Sequence, residues 1–152
     1  METYFFQFEQ DFVTSLRCIP MIVRMKLDIC GVKLKLQHWH QLEPTERQNL
    51  ISLPCNTNAE AEHYRQQLQT LLQQKTGSMA TELPIDSQPA WLNADIIPDE
   101  VQQQALKMQR KISLTDWQGL KPMQRFALVK LSRSNHENNN FLPALQEFGL
   151  DE

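Results

Sequence analysis

With 152 residues, 41% apolar and 22% charged, the chain can bury about 70% of its unfolded surface, so its core needs neither a disulfide nor a metal. Its formal charge of −3, from 15 basic and 18 acidic residues, has the wrong sign for displacing counterions from phosphate, which argues against a nucleic-acid partner. No apolar run reaches the roughly 18–20 residues of a membrane span, the N-terminus lacks a secretory signal, and three irregularly spaced cysteines read as reduced thiols of a cytoplasmic protein.

In chain order, Phe5, Phe8, Phe12 and Leu16 are helically spaced and predict a first helix, with Phe5 and Phe6 extended before it. Pro20 suits the first position of a second helix, where its missing N–H costs no hydrogen bond, and Gly31 suits that helix's C-terminal cap. Val32-Lys33-Leu34-Lys35-Leu36 alternates strictly, which favours a strand on pattern alone. No partner strand is visible and a lone pairing is marginal, so an extended connector is expected. Pro44 opens a further helix. Thr57-Asn58-Ala59-Glu60 has capping-box spacing, and Ala61, Tyr64, Leu68, Leu71 and Leu72 form one apolar helix face ending near Gly77. Residues 76–97, with Gly77, Pro84 and Pro89, read as a linker pinned at Trp91. Pro98 opens another helix, with Asp99 and Glu100 in its first turn and Lys107, Arg110 and Lys111 toward its end, an order that complements the helix dipole. Pro122 starts the next. Pro143 opens a final turn carrying Ala144, Leu145 and Phe148, closed by Gly149.

Sliding the chain along itself by 78 residues places Trp39 on Trp117, Ile19-Pro20 on Ile97-Pro98, Val23 on Val101 and Lys33 on Lys111. Leu36, Leu42, Pro44, Arg47, Leu50 and Leu53 also find identical partners, giving 11 identities over the 35 positions 19–53, where about two are expected by chance. The expected fold is therefore all-α: two pseudo-repeated helix–bend–helix units packed into one small helical domain. The first unit takes residues 1–75, the linker 76–97 and the second unit 98–152.

Candidate chemistry is sparse. Cys18, Cys30, Cys55, His38 and His40 lack the close pairing of a zinc site, and no metal is expected. Arg17 beside Cys18 could lower a thiol pKa, but no histidine is near in sequence, and a packed cysteine at a helix start is expected. The three thiols are expected buried or half-buried, and His38, His40, His63 and His136 exposed. Glu9, Asp11, Asp28, Glu43, Glu46, Glu60 and Glu62 are scattered, with no acid–base pair. Without a phosphate loop, a GxSxG elbow or HExxH, the chain reads as non-enzymatic and cofactor-free. Trp39 and Trp117 are expected in the core. Arg47 and Arg125, three residues after matched prolines, either support the bend or reach a partner. Residues 17–35 hold five basic groups, Arg17, Arg24, Lys26, Lys33 and Lys35, against the single acid Asp28. That stretch is either a solvated face or a docking surface for an acidic protein or anionic ligand, and Cys18 belongs to the same candidate surface.

The run Phe8-Glu9-Gln10-Asp11-Phe12-Val13-Thr14-Ser15-Leu16-Arg17-Cys18-Ile19-Pro20-Met21 is distinctive. With Val23-Arg24, Lys26-Leu27-Asp28, Gly31-Val32-Lys33-Leu34, Trp39, Glu46-Arg47 and Leu53-Pro54-Cys55, it resembles the nitrate reductase-associated protein family, found mainly in cyanobacteria. The likeness is dense over residues 8–55 and thinner beyond. It implies an accessory role for the ferredoxin-dependent assimilatory nitrate reductase, a molybdopterin and iron–sulfur enzyme, with that reductase or a molybdopterin-pathway enzyme as partner. It carries over no catalytic residues and directs attention to residues 17–28. Two rival expectations stand beside it. One is a carrier of an iron–sulfur cluster or molybdenum cofactor using Cys18, Cys30 and Cys55; the other is a nitrogen-responsive regulator binding a protein or DNA.

Overall fold

The computed structural model describes residues 5–10, 18–133 and 138–150. It is mostly helical, and the chain divides into two compact units, Met1–Asp86 and Ser87–Glu152.

In the first unit, Phe6 is extended and buried and precedes a short 3-10 turn, Gln7–Glu9. Phe12 and Leu16, the rest of the expected first helix, lie outside the described residues. Helix α1 (Met21–Cys30) starts after Pro20, whose carbonyl accepts the N–H groups of Val23 and Arg24 at 3.0 Å. Pro20 is therefore the N-cap and not the first helical residue, and Pro98 repeats this at Asp99–Lys107. Either position leaves a proline without a lost bond, because its N–H falls outside the helical ladder in both. Glu9, buried at 1% exposure, reaches back to this helix start. Its carboxylate accepts Phe6 N–H and Met21 N–H, each at 3.1 Å, and places negative charge at the positive end of the α1 dipole.

Gly31 ends α1 at φ +76°, and its N–H bonds Leu27 O at 2.8 Å. Strand β1 (Val32–Lys33) follows and pairs antiparallel with β2 (Thr81–Glu82), in the register Val32↔Glu82 and Lys33↔Thr81. Leu36 of the expected extended connector opens the next helix, and the connector's first two residues are a strand. Its partner is illegible in the sequence because Thr81 and Glu82 are both exposed and polar and show no alternation. Gln69 anchors the ribbon: its amide nitrogen donates to Ala80 O at 2.9 Å and its amide oxygen accepts Ala80 N–H at 2.8 Å. That pairing satisfies a buried amide and holds a sheet too short to stand alone.

Helix α2 (Leu36–His40) buries Trp39 completely. Helix α3 (Pro44–Ser52) has proline at its start and buries Leu50 and Ile51. Helix α4 (Asn58–Thr76) carries the expected capping box: Thr57 Oγ1 accepts Glu60 N–H and the Glu60 carboxylate accepts Thr57 N–H, both at 3.1 Å. It ends at Gly77, φ +84°. Its face of Tyr64, Leu68 and Leu72 is fully buried and packs with Val23 and Leu27 of α1, with Ala61 and Leu71 at the margin. Each fully buried leucine of this kind stabilises the fold by about 1.5–3 kcal/mol.

The first helical turn of the second unit is the 3-10 turn Ala90–Leu92, which carries Trp91. Helix α5 (Asp99–Lys107) is followed by α6 (Leu114–Gly119), which buries Trp117, and by α7 (Pro122–Arg133). Trp91 sits edge-on to Phe126 of α7, with ring centroids 5.6 Å apart. Gln102 repeats the amide device of Gln69, bonding both the N–H (2.9 Å) and the carbonyl (2.8 Å) of Ile112. Helix α8 (Phe141–Glu147) starts two residues earlier than expected. Pro143 is accommodated in its first turn, where no N–H is needed, and Gly149 closes it at φ +78°.

Candidate functional site

The candidate docking residues divide into those turned inward and those left outside. Arg17 lies outside the described residues. Cys18 is exposed, which corrects the expectation of a packed cysteine: it precedes α1 by three residues and has no helix face to bury it. On α1, Arg24 is half-buried and Asp28 exposed.

Lys26 turns inward. Its ammonium donates to Ile51 O at 2.6 Å and Leu53 O at 2.7 Å, and lies 5.8 Å from the centre of the Tyr64 ring. These are carbonyls at the end of α3, beyond the reach of the helical ladder, and the Tyr64 hydroxyl takes Leu50 O at 2.8 Å. A cation at this end of a helix complements its dipole. Burial pulls the Lys26 pKa below its ordinary value, an effect that Cys55 opposes. Lys26 therefore caps α3, a role its position in the sequence does not reveal.

Two thiols adjoin this cap. Cys55 donates weakly to Lys26 O at 3.8 Å and Cys30 to Leu27 O at 3.7 Å. Both are buried and line a cavity of about 250 Å3 with Ile29, Ala61 and Ile85. Burial, reinforced by neighbouring Cys55, pushes the Cys30 thiol up to about 12; burial likewise pushes Cys55 up to about 11. Such thiols are poor nucleophiles, because the thiolate is the reactive form. Among the described residues, no three His, Cys, Asp or Glu side chains gather as metal ligands. In a timed reaction with Ellman's reagent at pH 8, one thiol should react quickly and two only after urea is added. Cys18→Ser should remove the fast phase; two fast equivalents in that variant would show the buried pair to be accessible.

Lys33 and Lys35 remain outside. They alternate with buried Val32 and Leu34; Lys33 projects from the outer face of the ribbon, and Lys35 is the exposed N-cap of α2. His38 is half-buried and its Nδ1 accepts Lys35 N–H at 3.2 Å; His40 and His63 are exposed. His136 lies outside the described residues.

The matched arginines support the bends. Arg47 donates to Trp39 O at 3.0 Å and His40 O at 3.1 Å, with its guanidinium 5.8 Å from the Trp39 ring centre. Seventy-eight residues on, Arg125 donates to Trp117 O at 3.3 Å, Leu120 O at 2.6 Å and Trp91 O at 2.8 Å, 6.0 Å from the Trp117 ring centre. In both units a guanidinium fork ties the end of the tryptophan helix to the start of the next. Both tryptophans are fully buried, as expected.

Compared with known families, residues 5–148 match the model of the conserved nitrate reductase-associated protein family. The chain belongs to this family. The match spans both units and the whole basic stretch, so the arginine forks, the Lys26 cap and the outward lysines all lie within the nitrate reductase-associated sequence. No curated protein and no solved structure matches the chain. Among the described residues of this family member, no helix is long and apolar enough to cross a membrane.

Proposed function

We propose that the protein is a non-enzymatic accessory factor for assimilatory nitrate reductase, acting in its assembly, maturation or stabilisation by binding protein. The observation that carries this reading is membership of the nitrate reductase-associated family across residues 5–148. The partner is the reductase itself or an enzyme of the molybdopterin pathway, bound in the cytoplasm through the first unit. Lys33 and Lys35, exposed on that unit, support an electrostatic contact, since outward charges of one sign steer a complementary partner. The two units are diverged copies of one helix–bend–helix element, a reading supported by the repeated proline caps and the repeated arginine–tryptophan forks.

Tagged protein recovered gently, at low salt, from nitrate-grown source cells should bring down nitrate reductase or a molybdopterin-pathway enzyme, identified by mass spectrometry. The same bait carrying Lys33→Glu and Lys35→Glu should recover markedly less. If neither enzyme is enriched over an untagged control, the stable-partner reading falls.

A further inference from the structure

The first unit carries an amphipathic surface that its own fold leaves uncovered. The β1–β2 register, continued by one residue, sets Gly31 opposite Leu83, and Leu83 N–H bonds Gly31 O at 2.7 Å. At the other end the ladder stops at Lys33: Lys35 N–H turns to His38 Nδ1 at 3.2 Å, and Lys35 is the N-cap of α2. Lys33, next to buried Val32, stands on the outer face of the ribbon, and Lys35, Met79 and Leu83 are exposed just beyond the strand ends. The inner face is occupied: Val32, Leu34 and Ala80 are buried, and Glu82 turns to Arg65 and Gln69.

Exposure and charge both concentrate on the ribbon and the residues that flank it. Among the described residues, the exposed large apolar side chains of the first unit are Leu36 (46%), Met79 (62%), Leu83 (45%) and Ile85 (55%), all on the ribbon or next to it. The other described cations of this unit are engaged. Lys26 caps α3, Arg47 holds carbonyls, Arg65 pairs with Glu62 and Glu82, and Lys75 pairs with Glu43 and Glu46. The ammonium groups of Lys33 and Lys35 have no carboxylate partner among the described residues. In a chain of net charge −3, this is a local positive edge beside an apolar one.

We propose that the surface of the ribbon and its flanks, Lys33 and Lys35 with Leu36, Met79, Leu83 and Ile85, docks an acidic segment of the reductase bearing large apolar side chains. The inference rests on the accessory reading above and adds the surface and the partner's chemistry. Carboxylates would meet the two ammonium groups, and apolar side chains would cover the row that water now wets. Recognition runs through side chains and not through an added strand, because each strand is two residues long and both backbone groups of Ala80 are held by Gln69.

The test measures binding of the full-length protein to purified nitrate reductase of the source organism by biolayer interferometry. Four proteins are compared: wild type, Lys33→Glu with Lys35→Glu, Met79→Ser with Leu83→Ser, and a charge-matched control in the second unit, Lys107→Glu with Lys111→Glu. Circular dichroism confirms folding, which substitutions of exposed side chains should preserve. Each ribbon pair should weaken binding by about tenfold or more, with the lysine pair acting mainly on the association rate and flattening its salt dependence, while the control binds like wild type. Equal binding by well-folded ribbon variants overturns this surface and leaves the accessory reading standing. No binding by wild type overturns both. Two further outcomes replace the proposed occupant: self-association in sedimentation that the ribbon substitutions abolish, or flotation with phosphatidylcholine vesicles containing phosphatidylserine that they abolish.

Discussion

Arg125→Met should destabilise the second unit by about 3–4 kcal/mol, from two buried carbonyls left without a donor at roughly 1–3 kcal/mol each and a lost ring contact. The carbonyls at risk are those of Trp91 and Leu120, which receive Arg125 at 2.8 and 2.6 Å. Trp117 O keeps Leu120 N–H at 3.2 Å, so its loss is partial. Methionine preserves most of the side-chain volume, which limits the cavity contribution and isolates the donors. Lysine would not rescue fully, because a single ammonium cannot reproduce a planar fork spread over separate acceptors. The matched change Arg47→Met should cost about 1 kcal/mol or less. There Trp39 O keeps Leu42 N–H at 3.2 Å, and the His40 contact is at the surface, where water replaces the guanidinium. Urea unfolding followed by tryptophan fluorescence gives both values. Equal losses from the two variants would mean that burial does not distinguish the forks in solution.

The same pair shows what a sequence can and cannot say. The 78-residue offset places Arg47 and Arg125 at corresponding bends, yet leaves their role open. Their acceptors are backbone carbonyls that converge only once the chain has turned. Local signals are legible. Thr57 and Glu60 cap each other within one turn, the Tyr64, Leu68 and Leu72 face follows helical period, and Gly31 closes α1 as a left-handed cap. Long-range partners are not. Lys26 finds carbonyls 25 and 27 residues away, and Glu9 finds Met21 N–H 12 residues away; nothing near either residue signals this. The strand pattern at residues 32–36 is visible, but its partner lies in a polar segment that reads as a linker. Cys18 defies expectation because its neighbours suggest a helix start that comes three residues later. Of the candidate docking residues, Lys33 and Lys35 keep a surface position because alternation along extended backbone fixes their direction, whereas Lys26 sits on a helix whose orientation only packing decides.

Gly31→Ala should cost about 3 kcal/mol or more, well above the strain of a left-handed alanine alone, about 1–2 kcal/mol. Gly31 has φ +76°, and a Cβ placed there would lie 2.6 Å from Leu83 O and 2.8 Å from Ile85 Cγ1. The first contact is with backbone, held by the Leu83 N–H bond to Gly31 O at 2.7 Å, so neither side can yield without opening the end of the ribbon. Gly77 provides the control. It has φ +84°, but a Cβ added there would meet no atom within 4 Å, so Gly77→Ala should show only the strain of about 1–2 kcal/mol. The difference between the two urea midpoints measures how tightly residues 83–85 pack on Gly31. It also bears on docking, because Leu83 and Ile85 belong to the apolar half of the proposed surface. Gly31→Ala should weaken reductase binding in conditions where the variant remains folded, and Gly77→Ala should not. Equal stability losses at the two glycines would mean that residues 83–85 do not rest on Gly31 in solution, and the ribbon face would then lack the fixed shape that docking requires.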